Sequence, residues 1–380
     1  MEMGMWIYPW DILDGGAEYV IRQLCDYGIG DIHLAASYHS VLAVLPHNPQ
    51  RRTYLAEHAA LYFQPYPERW RSSRMQPMVS PLVASSGDAL AVTAPLCKQL
   101  GVRLTAWTVC LHNTFLVQRY PETSVVNLWG ERYPCFCVAN PHVRAYTLAL
   151  VNDLRDRVDL IELEAAHWLA FPHHQHAKIG VPAAKSLQLL LGLCFCEHCQ
   201  VRMRVAGLDV TSLRHRLCTR LDNLPTEPIK DSETQIAALC EAEPELVTLL
   251  ALRRDTVTEL ITELKAIAGS TPLTCIVSGP EWATGADPTA IIEIVDRLVI
   301  PAYGSPMVVS TTMDTMAMRI GQAAMKQLVV GLSLLAPETK KRTTLRAAVE
   351  VSRAAGVAGI CFYNYGLAPL NRIRWLEAVI

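Results

Sequence analysis

Three cysteines fall in the short run Cys194-Phe-Cys196-Glu-His-Cys199. Soft thiolates at C-x-C-x-x-C spacing suit a tetrahedral zinc ion. A fourth ligand from elsewhere in the chain would close the site. Cys135-Phe-Cys137 is the natural donor, with His198 as a competitor. A closed site of four cysteines is structural and braces loops. The sequence holds 12 cysteines, and the others (Cys25, Cys97, Cys110, Cys218, Cys240, Cys275, Cys361) are scattered and read as packing residues.

A second group is acidic. In Asp159-Leu-Ile-Glu-Leu-Glu164, a strand period of two puts Glu162 and Glu164 on one face. Two carboxylates about 7 Å apart along a strand repel unless one is protonated, hydrogen-bonded or paired with a cation. One of them then acquires a raised pKa, as a general acid requires. Glu164 lies nearer the strand's end and is the first candidate. The following loop carries His167, His173, His174, His176 and Lys178. That set suits recognition of hydroxyls or anions, or a catalytic metal helped by the carboxylates.

These groups need elements to hold them. Eight short apolar runs alternate with helical stretches: Met3–Tyr8, Asp31–Ser37, Val102–Val109, Asp159–Glu164, Pro272–Ser278, Arg297–Ala302, Gln327–Ser333 and Ala358–Asn364. Near-continuous apolar strands separated by helices predict a buried parallel sheet. Eight of them, with a helix after the last, predict an α/β chain folded as a (β/α)₈ barrel, one domain over residues 1–380. Long insertions follow strands two, three and four, and residues 165–271 read as a largely helical insertion. Such insertions extend the barrel end that carries active sites.

Polar and aromatic residues collect at the ends of the predicted strands. They are Trp10 and Asp11 after strand one, Tyr38 and His39 after strand two, and Trp107 near the end of strand three with His112 and Asn113 beyond it. Glu281 and Trp282 follow strand five, Tyr303 follows strand six, and Tyr363 and Asn364 end strand eight. Aromatic faces with amides and imidazoles match the C–H faces and hydroxyls of a sugar. Glu281 and Asp11 are the candidates for a second carboxylate, with Glu281 the working partner of Glu164 and Asp11 the alternative or a group for binding hydroxyls. A separation of about 5–5.5 Å would imply retention and about 6.5–9.5 Å inversion.

Composition narrows the partners. The chain has 380 residues, 51% hydrophobic and 18% charged, with a formal net charge of -2. It can bury a core, so disorder is excluded. It lacks the basic patch of a nucleic-acid binder and the roughly 20-residue apolar run of a membrane span. The start, from Met1 to Trp10, reads as no signal peptide, which predicts a cytoplasmic protein. No dinucleotide or P-loop glycine motif occurs, so no organic cofactor is expected. A homo-oligomer is compatible with this composition.

The run Gly130-Glu-Arg-Tyr-Pro-Cys-Phe-Cys137-Val-Ala-Asn-Pro141-His-Val-Arg144, then a helix, a strand ending in Glu164, and C-x-C-x-x-C, resembles the family 42 glycoside hydrolases and related β-galactosidase barrels. The resemblance covers residues 130–205. It implies Cys137, Cys194, Cys196 and Cys199 as ligands of a structural zinc and Glu164 as general acid/base. It implies an enzyme acting on a small glycoside or oligosaccharide. Leu163-Glu164 stands where that family has Asn-Glu, and strand seven, Gln327 to Ser333, lacks the family's nucleophilic Glu. Two other readings fit the same residues. One is a metal-dependent sugar isomerase, epimerase or lyase built on Glu162, Glu164 and the histidines; the other is a non-catalytic sugar-binding barrel.

Overall fold

The computed structural model describes residues 1–171, 184–222 and 234–380. Eight parallel strands close into a barrel: β1 (Glu2–Ile7), β2 (Asp31–Tyr38), β3 (Arg103–Val109), β4 (Leu160–Glu164), β5 (Leu273–Ile276), β6 (Arg297–Pro301), β7 (Leu328–Ser333) and β8 (Gly359–Tyr363). Each pairs with its neighbours in sequence order, and β1 closes the ring against both β2 and β8. The expected (β/α)₈ barrel is present, with all eight strands within two residues of the predicted runs.

Strand alternation decides what fills the barrel. Register pairs Gly4 with Asp31, Trp6 with His33, and Trp107 with Glu162. Two glycines make room for the large inward side chains. A Cβ at Gly331 would lie 3.0 Å from the Trp6 indole, and one at Gly4 would lie 2.7 Å from His33 Nε2. Any side chain at either position would displace its neighbour from the barrel axis.

The helices start as their sequences direct. Asn140 caps the helix Pro141–Leu154, accepting the His142 and Val143 amides, with Pro141 as its first residue. Between β4 and β5 the described residues form five helices: Lys185–Gly192, Glu197–Val205, Val210–Asp222, Thr234–Ala242 and Glu245–Ala268. After β2 comes a hairpin, Val41–Val44 with Thr53–Ala56. Its Tyr54 stacks on Trp10 with ring centroids 4.3 Å apart. Among the described residues no helix is long and apolar enough to cross a membrane.

Candidate active site

The C-terminal ends of the strands open into a cavity of about 750 Å³. Glu164 lines it, together with Tyr38, His39, Trp107, Tyr303 and Tyr363 from the predicted set. Trp6, Tyr8 and residues 41–44 of the hairpin complete much of its wall. The Trp107 indole N–H donates to Glu164 Oε2. Burial pushes the Glu164 carboxyl up to about 7; the Trp107 bond opposes this and the nearby Glu162 adds to it.

Three phenols of the same cavity wall form a chain. Tyr8 Oη lies 3.0 Å from Tyr38 Oη and 3.1 Å from Tyr363 Oη. Burial and the neighbouring Tyr363 and Glu164 raise the Tyr38 hydroxyl well above its ordinary range, so it stays protonated. Tyr303 stacks on Tyr363 at 5.6 Å and Tyr38 meets Trp107 edge-on at 4.9 Å. His39 stacks between Tyr38 and His112, at 4.4 and 4.5 Å.

Glu162 points into the barrel as expected but sits beneath this cavity. The Trp6 indole N–H donates to its Oε1 at 2.6 Å. His33 Nδ1 approaches the same oxygen at 3.1 Å, as an ion pair and not an aligned hydrogen bond. On its other side, His33 Nε2 lies 3.3 Å from Asp31 Oδ2, which Arg103 also pairs at 2.7 Å. Burial alone would lower the His33 pKa, but Asp31, Cys361 and Glu162 hold it well above the usual histidine value. Charged His33 therefore joins two buried acids. Its replacement by leucine takes the His33 cation from Glu162, while Asp31 keeps Arg103. The expected loss is roughly 3–5 kcal/mol of stability, read from urea midpoints. A His33→Leu midpoint equal to the parent's would contradict this assignment.

Other predicted site residues lie elsewhere. Pro9 begins the helix Pro9–Gly15, so the period changes from strand to helix. Trp10 is thereby turned away from this cavity and is fully buried against Tyr8 and Tyr54. Asp11 accepts the Tyr8 amide at 3.0 Å and lines a different cavity. Asn113 caps the helix Thr114–Arg119 by accepting the Leu116 amide. Glu281 opens the short helix Glu281–Thr284 and pairs with Arg254 at 3.1 Å and Arg319 at 2.5 Å. It does not line the Glu164 cavity, and neither does Trp282, which packs on the core. His167 is buried, with Nδ1 2.8 Å from the Trp168 carbonyl. Asn364 is fully buried, its Oδ1 accepting the Gly366 amide. His173, His174, His176 and Lys178 lie outside the described residues.

The site residues picked from the sequence include neither Trp6 nor Tyr8, although Tyr8 ends the predicted strand-one run. Trp6 and Tyr8 alternate at i and i+2 on strand one, the same signal that picked out Glu162 and Glu164. The picked set also lacks His33, whose role depends on contacts across the barrel.

The four cysteines implied by the resemblance come together. Cys137 Sγ lies 3.5 Å from Cys199 Sγ, 3.7 Å from Cys194 Sγ and 3.5 Å from Cys196 Sγ, all four being buried. A tetrahedral zinc with Zn–S bonds near 2.3 Å requires S···S separations of about 3.8 Å. The set fits such an ion, and it is the one metal-competent cluster of three or more ligands among the described residues. The Val126 amide donates to Cys194 Sγ at 3.5 Å. Arg253 is buried nearby and donates to the Gly192 and Ala283 carbonyls while stacking over Trp168. The cysteines join the loop after β3 to the segment after β4, and Arg253 extends the bracing to the loop after β5. Cys135, the rival donor, is buried outside this group.

No protein-family model matches the chain, and no curated protein matches it. Solved structures do. The chain is similar to the glycoside hydrolase domain of PgaB (BpsB) from Bordetella bronchiseptica, with 13% identity, TM-score 0.58, and coverage of 100% of this chain and 97% of that one. It is similar to the catalytic domain of a β-amylase from Paenibacillus polymyxa, with 11% identity, TM-score 0.59, and coverage of 100% and 97%. It is also similar to a β-galactosidase from the psychrophilic Marinomonas ef1, with 10% identity and TM-score 0.59; there it covers 100% of this chain but 59% of that one. At these identities the likeness is one of fold, a barrel of the kind these glycoside hydrolases use.

Proposed function

We propose that the chain is a glycoside-hydrolase-like enzyme that uses Glu164 as general acid/base on a small glycoside or oligosaccharide. The observation that carries this reading is the Glu164 carboxyl. It ends β4, faces an aromatic-walled cavity, and is pushed up to about 7 chiefly by burial. A carboxyl with that value can give a proton to a leaving oxygen near neutral pH and take one from water afterwards. Trp107 fixes its orientation. The faces of Trp107, Tyr303 and Tyr363 would carry the sugar ring, and the phenol chain would bond its hydroxyls. The barrel fold of the similar glycoside hydrolases supports the reading. The cysteine set would hold a zinc ion, which would brace the loops around the cavity and take no part in bond cleavage.

The test is a panel of nitrophenyl α- and β-glycosides of common hexoses and pentoses, with saturable binding measured in parallel. Hydrolysis of at least one sugar is expected. Saturable binding without hydrolysis would favour a sugar-binding barrel, and neither binding nor hydrolysis would sink the proposal. The pH profile follows from the same carboxyl. Glu164 must be protonated to act as the acid, so kcat/KM should fall as pH rises through about 7. A rate unchanged from pH 6 to 9 would contradict the assignment.

A further inference from the structure

A second cavity, of about 300 Å³, lies away from Glu164. Asp11, Tyr19, Gln23, His47, Tyr365 and Gly366 contribute to its lining. Asp11 is 4% exposed, and its Oδ2 accepts one hydrogen bond, from the Tyr8 amide at 3.0 Å. It has no ion pair with Lys or Arg among the described residues. Arg51, two residues beyond Pro49 of the lining, is engaged by Asp14 at 2.6 Å. Gly366 packs directly on the carboxyl, where an added Cβ would lie 2.3 Å from both oxygens. His47 Nδ1 lies 2.9 Å from the Ala368 carbonyl, so it carries the proton and leaves Nε2 as an acceptor. The Tyr365 hydroxyl donates to Gln23 Oε1 at 3.1 Å. The lining thus offers a carboxyl, an imidazole lone pair and two phenol rings, with no Lys or Arg among its members.

From this arrangement we propose that the cavity binds a small organic ammonium ion. The ammonium would donate to Asp11 and to His47 Nε2, and the Tyr19 and Tyr365 rings would flank its charge. A cation also supplies the partner that the buried Asp11 needs once it is ionised. Burial, offset by the Tyr8 amide and reinforced by Asp14, pushes Asp11 up to about 8, so an incoming cation displaces a proton at neutral pH. Asp14 acts on Asp11 from the same helix, and Tyr19, His47 and Tyr365 are the other titratable groups of the cavity lining; burial holds His47 below its ordinary value, hence neutral.

Calorimetry with n-butylammonium tests the site, with n-butanol as the neutral isostere. The amine should bind and the alcohol should not. Affinity should rise about tenfold or more from pH 6.5 to pH 8.5, while the amine itself stays protonated. Asp11→Asn keeps an acceptor for the Tyr8 amide and should weaken binding at least about tenfold. Tyr19 is 65% exposed at the mouth, so Tyr19→Ala should fold normally and weaken binding a few-fold. A peptide with one lysine separates the two sources of ammonium: binding only by butylammonium assigns free amines, and tighter binding of the peptide assigns protein side chains. Failure of both amines to bind, equal binding of butanol, or full retention by a folded Asp11→Asn protein would overturn the proposal. Sugar hydrolysis is not involved in any of these readouts.

Discussion

Exchange of Glu164 for glutamine is expected to lower kcat on a glycoside with a poor leaving group by roughly 10²–10⁴-fold. Glutamine has the same shape, and its amide oxygen can accept the Trp107 indole N–H that now meets the carboxyl. The fold and the aromatic walls should therefore persist, and the melting temperature should barely move. What disappears is the proton. The loss should shrink for an activated leaving group such as dinitrophenolate, which departs without protonation. That graded response separates an acid from a residue that only shapes the cavity, which would affect all substrates alike. Steady-state kinetics across a leaving-group series reads it directly. A uniform or absent effect would remove Glu164 from the proposed role.

The second large effect concerns the cysteines. We expect about one zinc per chain by elemental analysis, and a marked fall in melting temperature when it is stripped or when Cys194 is replaced by alanine. Four buried sulfurs within 4.8 Å of one another crowd negative charge on ionising unless a cation or protons intervene. Without a metal, Cys137 and Cys199 are pushed well above the ordinary thiol range, mainly by bonds to their neighbouring thiols. The site spans segments 57 to 62 residues apart in sequence, so its loss releases the loop after β3 from the helices after β4. Hydrogen exchange should show the change concentrated there. Cys25→Ala, outside the cluster, should leave metal content untouched. A metal-free chain that melts where the metallated one does would contradict the bracing role.

Much of this was legible in the residues, for definite reasons. Barrel strands are buried on both faces, so their apolar runs stand out from the helices between them. Period two then fixed which acids point inward, and Glu164 lines the cavity as its place at the strand end implies. The errors arose just beyond the strand ends. Pro9 and Pro280 each begin or precede a helical turn, which breaks the period of two and carries Trp10, Asp11 and Glu281 away from the cavity. Asn113 looked like a ligand group but is spent on a helix cap. Glu162 pointed inward as read, yet its partners Trp6 and His33 come from strands one and two. Such pairing depends on register, which no local pattern reveals.

Trp6 separates two environments within the same barrel. Above it lies a wide chamber of phenols and one carboxyl; below it lies a tight knot of Asp31, His33 and Glu162. The indole touches both, lining the chamber while its N–H holds Glu162. Wall residues above this partition, Glu164 apart, can therefore change with the ligand they meet, whereas those below answer to the integrity of the barrel. A change of specificity can accumulate in the upper storey without disturbing the foundation.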